Sequence, residues 1–128
     1  MPLSPISTPN APAAVGPYSQ GIIANGFLFT AGQVAIDPAT GTLSAGDVAT
    51  QTDLVLRNLQ GIITAAGATW NDVVKTTVFL KDLSTFSTVN EVYARCLGTA
   101  RPARSTVQVA ALPLGALVEI EAVVALPQ

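Results

Sequence analysis

The sequence predicts an α+β fold in which a sheet of about six strands carries two helices on one face. Two segments repeat apolar residues every three to four positions, as amphipathic helices do. The other apolar runs alternate with polar residues or are β-branched, as strands are. So few helices cannot cover both faces of such a sheet, so the second face needs another source of burial.

The elements follow in order. "QGIIANGFLFTAG" sets two apolar runs around Asn25-Gly26, a dipeptide suited to a type I′ hairpin turn. "DPATG" (37–41) is a further turn. Asp47 predicts a helix N-cap. Val48, Val55, Leu59, Ile62 and Ala66 then form a stripe, widened by Leu56 and Ile63, and Gly67 ends it. "DVVKTTVFL" (72–80) is apolar on both faces and predicts a central strand. A second helix is expected after Ser84, with Phe86, Val89, Tyr93, Cys96 and Leu97 inward and Gly98 at its end. Glu91 and Arg95 point away from that stripe, whereas Asn90 falls on it between Phe86 and Tyr93. A buried amide must be hydrogen-bonded, so Asn90 is either a structural bracket or a ligand contact. The strands "RSTVQVAAL" and "ALVEIEAVVAL" flank the turn "PLG", each with one apolar and one mixed face. The expectation is that Arg104, Thr106, Gln108, Glu119 and Glu121 share the sheet face left bare by the helices. Self-association, sheet face toward sheet face, would then bury it.

The composition points the same way. The chain of 128 residues reads as a single domain over 1–128. Charged residues make up 11% of it, against about 25% in an ordinary soluble domain. With a mean hydropathy of +0.48, this predicts surface covered by other subunits. No apolar run reaches the roughly 18 residues of a membrane span. The N-terminus lacks the basic-then-apolar pattern of a secretory signal, and a lone cysteine, Cys96, fits a reducing compartment; a cytoplasmic protein is expected. A net charge of -2 without a basic cluster argues against nucleic acid as a partner. The absence of histidine excludes a Ser-His-Asp triad, a Cys-His pair and HExxH zinc chemistry. Catalysis would have to run on carboxylates, arginine, lysine, hydroxyls, backbone groups and water, with no metal or cofactor expected.

Arg104 enters a strand from "RPARSTV", where its guanidinium could take a small carboxylate through two parallel hydrogen bonds, or could pair with Glu119 or Glu121. Glu119 is a candidate general acid/base, because a desolvated carboxyl beside another carboxylate is pushed upward in pKa; the alternative is an interface carboxylate balanced by a cation. Tyr18, Ser19 and Gln20 could supply hydroxyl or amide contacts. Lys75 could form a Schiff base, but reads more simply as a structural partner.

Taken together, "GPYSQ", "NGFLFTAGQ", "QTDLVLRNL", "VVKTTVFLKD", "FSTVNEVY" and "PARSTVQVAALPLGALVEIEAV" are collinear from about residue 5 to residue 126 and resemble the Rid family (RidA/YjgF, also called the endoribonuclease L-PSP family). The resemblance implies a chorismate-mutase-like fold with a mixed six-stranded sheet and two helices on one face. It also implies a homotrimer with small-molecule clefts between subunits, no cofactor, and neither nucleic acid nor membrane as partner. The implied activity is hydrolysis of reactive 2-imino and enamine acids of the 2-aminoacrylate class to a 2-keto acid and ammonia, that of a 2-iminobutanoate/2-iminopropanoate deaminase. Arg104 is the match for the carboxylate-binding arginine and Glu119 for the glutamate tied to the catalytic water. Tyr18 and Asn90 match further substrate contacts. The family usually has serine where this chain has Ala31, so a hydroxyl near the cleft is missing; Thr106 stands at a position occupied by cysteine or small residues. Alternatives are a member that holds small carboxylates without turnover, a relative acting on a different imine or carbamate and, disfavoured by charge, an endoribonuclease.

Overall fold

Asn25 and Gly26 form the expected left-handed turn, with φ of 51° and 81°. The computed structural model describes residues 2–128. Around that turn, β2 (Gly21–Ala24) and β3 (Phe27–Thr30) make a hairpin. A short strand, β1 (Ser4–Ile6), adds to its outer edge. Pro5 lies within β1, as edge strands permit. Helix α1 (Val48–Ala65) begins where Asp47 Oδ1 accepts the Thr50 N–H at 2.9 Å and ends before Gly67, whose φ is +83°. β4 (Val73–Leu80) follows, then α2 (Phe86–Leu97), β5 (Ala103–Gln108) and β6 (Val118–Ala125). α2 starts at Phe86 rather than directly after Ser84, because Asp82 first caps a 3₁₀ turn over Leu83–Thr85 by accepting the Ser84 N–H.

The six strands lie in the order β1-β2-β3-β6-β4-β5. β4 and β5 are parallel and all other neighbours antiparallel, so the last strand of the chain is inserted at the centre of a mixed sheet. Both helices cover one face. There Val118, Ile120, Ala122 and Val124 of β6 and Thr76, Val78 and Leu80 of β4 are buried against Val55, Leu56, Leu59, Ile62 and Ile63 of α1 and Val89 and Leu97 of α2. Burying each large aliphatic side chain contributes roughly 1.5–3 kcal/mol, which fixes the register of the central strands.

The expectation for the mixed faces fails for one strand. β5 pairs Arg104 with Thr76, Thr106 with Val78 and Gln108 with Leu80, so all three side chains project to the helix-covered face. Ala103, Ser105 and Val107 lie on the open face instead. Glu119 and Glu121, which alternate with buried Val118 and Ile120, do lie on the open face, beside Phe79 and Thr77. The reason is local: β5 is an edge strand, and the helix over it, α2, offers polar and aromatic side chains rather than an aliphatic bed. Gln108 Oε1 accepts the Leu83 N–H at 2.8 Å, and Arg104 meets α2 directly.

Candidate functional site

Phe86, Asn90 and Tyr93 are spaced by four and three residues on α2 and so share a stripe. The Arg104 guanidinium lies across it. Its Nη2 donates to Asn90 Oδ1 at 2.7 Å, and its Cζ stands 4.8 Å from the Tyr93 ring centroid and 5.5 Å from that of Phe86. Tyr93 is itself fixed by a 2.7 Å hydrogen bond shared with buried Thr76, and burial pushes its phenol pKa up. Asn90 is therefore a bracket, and what it brackets is the arginine. No carboxylate neutralises Arg104: among the described residues the only ion pair is Arg57 with Asp53. Most guanidinium donors remain free beside a cavity of about 310 Å³ lined by Asn90, Tyr93, Ala94, Arg101, Pro102 and Arg104. Arg101 was not anticipated. Its Nη1 donates to the Gly98 and Ala100 carbonyls at 2.8 Å, which holds a second cation at the same place.

Glu119 occupies a different cavity, of about 390 Å³, together with Tyr18, Gly32, Val34, Leu114 and others. Burial, then the nearby Glu121, raise its pKa above the ordinary 4.5. Gly32 is part of this geometry: a Cβ there would come within 2.8 Å of Glu119 Oε2, so a larger residue would push the carboxylate from its place beside the loop after β3. Glu119 and Arg104 therefore do not converge within one chain. They lie on opposite faces of the sheet, one at the centre and one at the edge.

Three buried amides fix the surrounding loops, two of them, Gln20 and Asn58, against segments that line the Glu119 cavity. Gln20 Oε1 accepts the Thr8 N–H, and its Nε2 donates to the Thr8, Ala11 and Pro12 carbonyls. Asn58 Nδ2 donates to the Val34 and Ile36 carbonyls. Gln51 donates to the Ser44 carbonyl and accepts the Leu117 N–H. Gln20 is thus committed to structure, whereas Tyr18 lines the cavity with its ring exposed. The aliphatic stripe of α1 concealed Gln51 and Asn58, although polar residues on a buried helix face must satisfy some other segment's backbone.

Other candidates resolve more simply. Lys75 Nζ donates to Ser105 Oγ at 3.0 Å on the open face. Cys96 is a half-buried free thiol between the helices, raised in pKa by burial and then by Asp53. No cluster of three or more His, Cys, Asp or Glu side chains suited to a metal ion occurs among the described residues. Nor is any described helix long and apolar enough to cross a membrane.

A family model described as endoribonuclease L-PSP matches residues 8–126. The chain belongs to the Rid family. A RutC family protein of Pyrococcus horikoshii is 52% identical over 118 residues, which cover 92% of this chain and 94% of that one. The mouse 2-iminobutanoate/2-iminopropanoate deaminase is 49% identical over 118 residues, 92% of this chain and 87% of that one. The crystal structure of E. coli TdcF with bound serine has a TM-score of 0.92 at 42% identity, covering 97% of this chain and 99% of that one. The α+β Rid fold expected from the sequence is thus the observed one. Two positions bear on this Rid chain in particular. Ala31 donates its N–H to the Gln20 carbonyl at 2.9 Å and is not in the cavity lining, which passes through Gly32 and Gln33. Thr106 Oγ1 is buried without a hydrogen-bond partner, two residues along β5 from Arg104 and on the same face. A buried hydroxyl left unpaired costs about 1–3 kcal/mol, so it calls for a partner.

Proposed function

We propose that this Rid chain hydrolyses reactive 2-imino and enamine acids of the 2-aminoacrylate class to 2-keto acids and ammonia. The active cleft is a seam of a homotrimer, where Arg104 of one subunit faces Glu119 of its neighbour. The observation that carries the reading is the guanidinium itself: held by Asn90 and Tyr93, flanked by Arg101, yet left without a carboxylate. Such a cation, with its fork of free donors, is suited to a small carboxylate. The names of the mouse relative and of TdcF with bound serine, both small-molecule proteins of the family, support the same class of ligand.

The chemistry needs little beyond orientation and proton transfer. Arg104 takes the substrate carboxylate through its free donors. An enamine first accepts a proton at its methylene carbon to give the imine. Ionised Glu119 then removes a proton from water as the oxygen bonds to the imine carbon. The proton passes to nitrogen. The carbinolamine hydroxyl then gives its own proton to Glu119 as the C=O bond forms and the C–N bond breaks. Ammonia leaves with the keto acid behind, and Glu119 returns that proton to solvent, replacing the one taken up at carbon. Tyr18 closes the wall of the cleft beside Glu119. The Asn90 contact keeps the guanidinium aimed.

The test is subunit mixing. Arg104→Lys and Glu119→Gln should each abolish most keto-acid release in a dehydratase-coupled assay while leaving the assembly intact. Chains carrying Arg104→Ala and chains carrying Glu119→Gln, refolded together in equal amounts, should recover about a quarter of parental activity, the statistical share of seams receiving both intact residues. Full activity in either single variant contradicts the assigned role. Absence of recovery in the mixture contradicts the shared seam.

A further inference from the structure

Leu114 is placed where folding alone gives no reason for a leucine. It and Gly115 are the central pair of a turn closed by the Ala116 N–H donating to the Pro113 carbonyl at 3.0 Å, with φ of 60° and 74°. A turn of this left-handed kind calls for Asn-Gly or Asp-Gly, because a bulky side chain crowds its own backbone at positive φ. The same chain supplies the comparison: among the described residues the only other non-glycine residue at positive φ is Asn25, in the Asn25-Gly26 hairpin turn. Within the chain no burial offsets the strain, since Leu114 is 68% exposed. Strained residues that packing does not explain concentrate at ligand sites.

The location of Leu114 is specific. It lines the Glu119 cavity, as does Val15, and these are the two most exposed large apolar residues of the described chain, at 68% and 89%. Pro12, Val34, Ile36 and Pro113 continue the apolar wall. The cavity's titratable groups are Glu119 and Tyr18, with no cation among its lining. An anionic part of a substrate is repelled there, and the part that enters is neutral and apolar. At about 390 Å³ the space far exceeds a methyl group.

We propose that Leu114, with Val15, receives the substrate's side chain and makes this protein selective for 2-imino acids with larger aliphatic side chains, over the smallest imine and over imino dicarboxylates. The proposal rests on the hydrolytic reading and names its substrate class. Leu114 is a specificity-determining residue; it takes no part in proton transfer.

The experiment compares the parent protein with Leu114→Asn, which suits the turn better. Imines are generated in situ from leucine and from alanine by an amino-acid oxidase, and kcat/KM is measured for each. In parallel, calorimetry follows binding of the stable keto acids 4-methyl-2-oxopentanoate and pyruvate. The parent should favour the leucine-derived imine and 4-methyl-2-oxopentanoate. Leu114→Asn should lower both preference ratios by about tenfold, with a thermal midpoint equal to or above the parent's. Unchanged ratios overturn the inference, as does a lowered midpoint with loss of the assembly, which would make Leu114 an interface residue. Keto-acid preference that is lost in Leu114→Asn, in a protein without turnover, overturns the hydrolytic reading and leaves the selectivity standing. Neither binding nor turnover overturns both.

Discussion

Burial and the neighbouring Glu121 both hold the Glu119 carboxyl above 4.5, and this has a kinetic consequence. A general base must be ionised, and a base of raised pKa is the stronger proton acceptor once it is. Under saturating substrate, kcat should therefore fall as pH drops through a midpoint above 4.5, and Glu119→Gln should lose that limb. A midpoint at or below 4.5, measured as kcat against pH, would show that Glu119 is not the base. At this scale chemistry alone drew attention to an arginine at a strand entry, a glutamate on a greasy strand and an asparagine on an aliphatic stripe, and left each open between a structural and a ligand-binding role; the resemblance tipped them toward function. The sequence was silent on Gly32 and Leu114. Their importance lies in what stands opposite them across the fold, and no local pattern encodes that.

Helix α1 shows how an element can be read correctly and still withhold its main contribution. Its aliphatic stripe was evident, but its middle also carries Gly61, where a Cβ would collide with the Asn10 carbonyl oxygen. The glycine admits the segment 8–12 that Gln20 clamps from the other side. Helix propensity alone favours Gly61→Ala by about 1 kcal/mol. The backbone contact reverses the sign, and a net loss of roughly 1–3 kcal/mol in urea unfolding is expected, with weakened ligand binding as the cavity wall shifts. A more stable variant would mean that the segment is free to move aside. β1 was not foreseen, because a three-residue strand containing proline has too little alternation to register. The faces of β5 were assigned the wrong way round for a related reason. Alternation says that two sides of a strand differ, not which of them the helices cover, and at a sheet edge α2 could receive polar side chains through Asn90 and the Leu83 backbone.

Across the whole molecule, the open sheet face carries Phe27, Phe29, Phe79, Val107 and Val123 around only a few charges. That face agrees with the charge-poor composition and supports the proposed assembly. Placing a carboxylate within it by Phe29→Glu should leave a folded chain of 13.1 kDa in light scattering, with native far-UV circular dichroism and no keto-acid release. An intact oligomer would locate the contact elsewhere. The placement of Arg104 and Glu119 on opposite faces reaches further still. In the proposed ring, a copy faulty at either residue alone would silence a single seam, whereas one misfolded copy would spoil both of its borders. Injury to the population is then graded rather than all-or-none, and healthy neighbours keep part of the ring working.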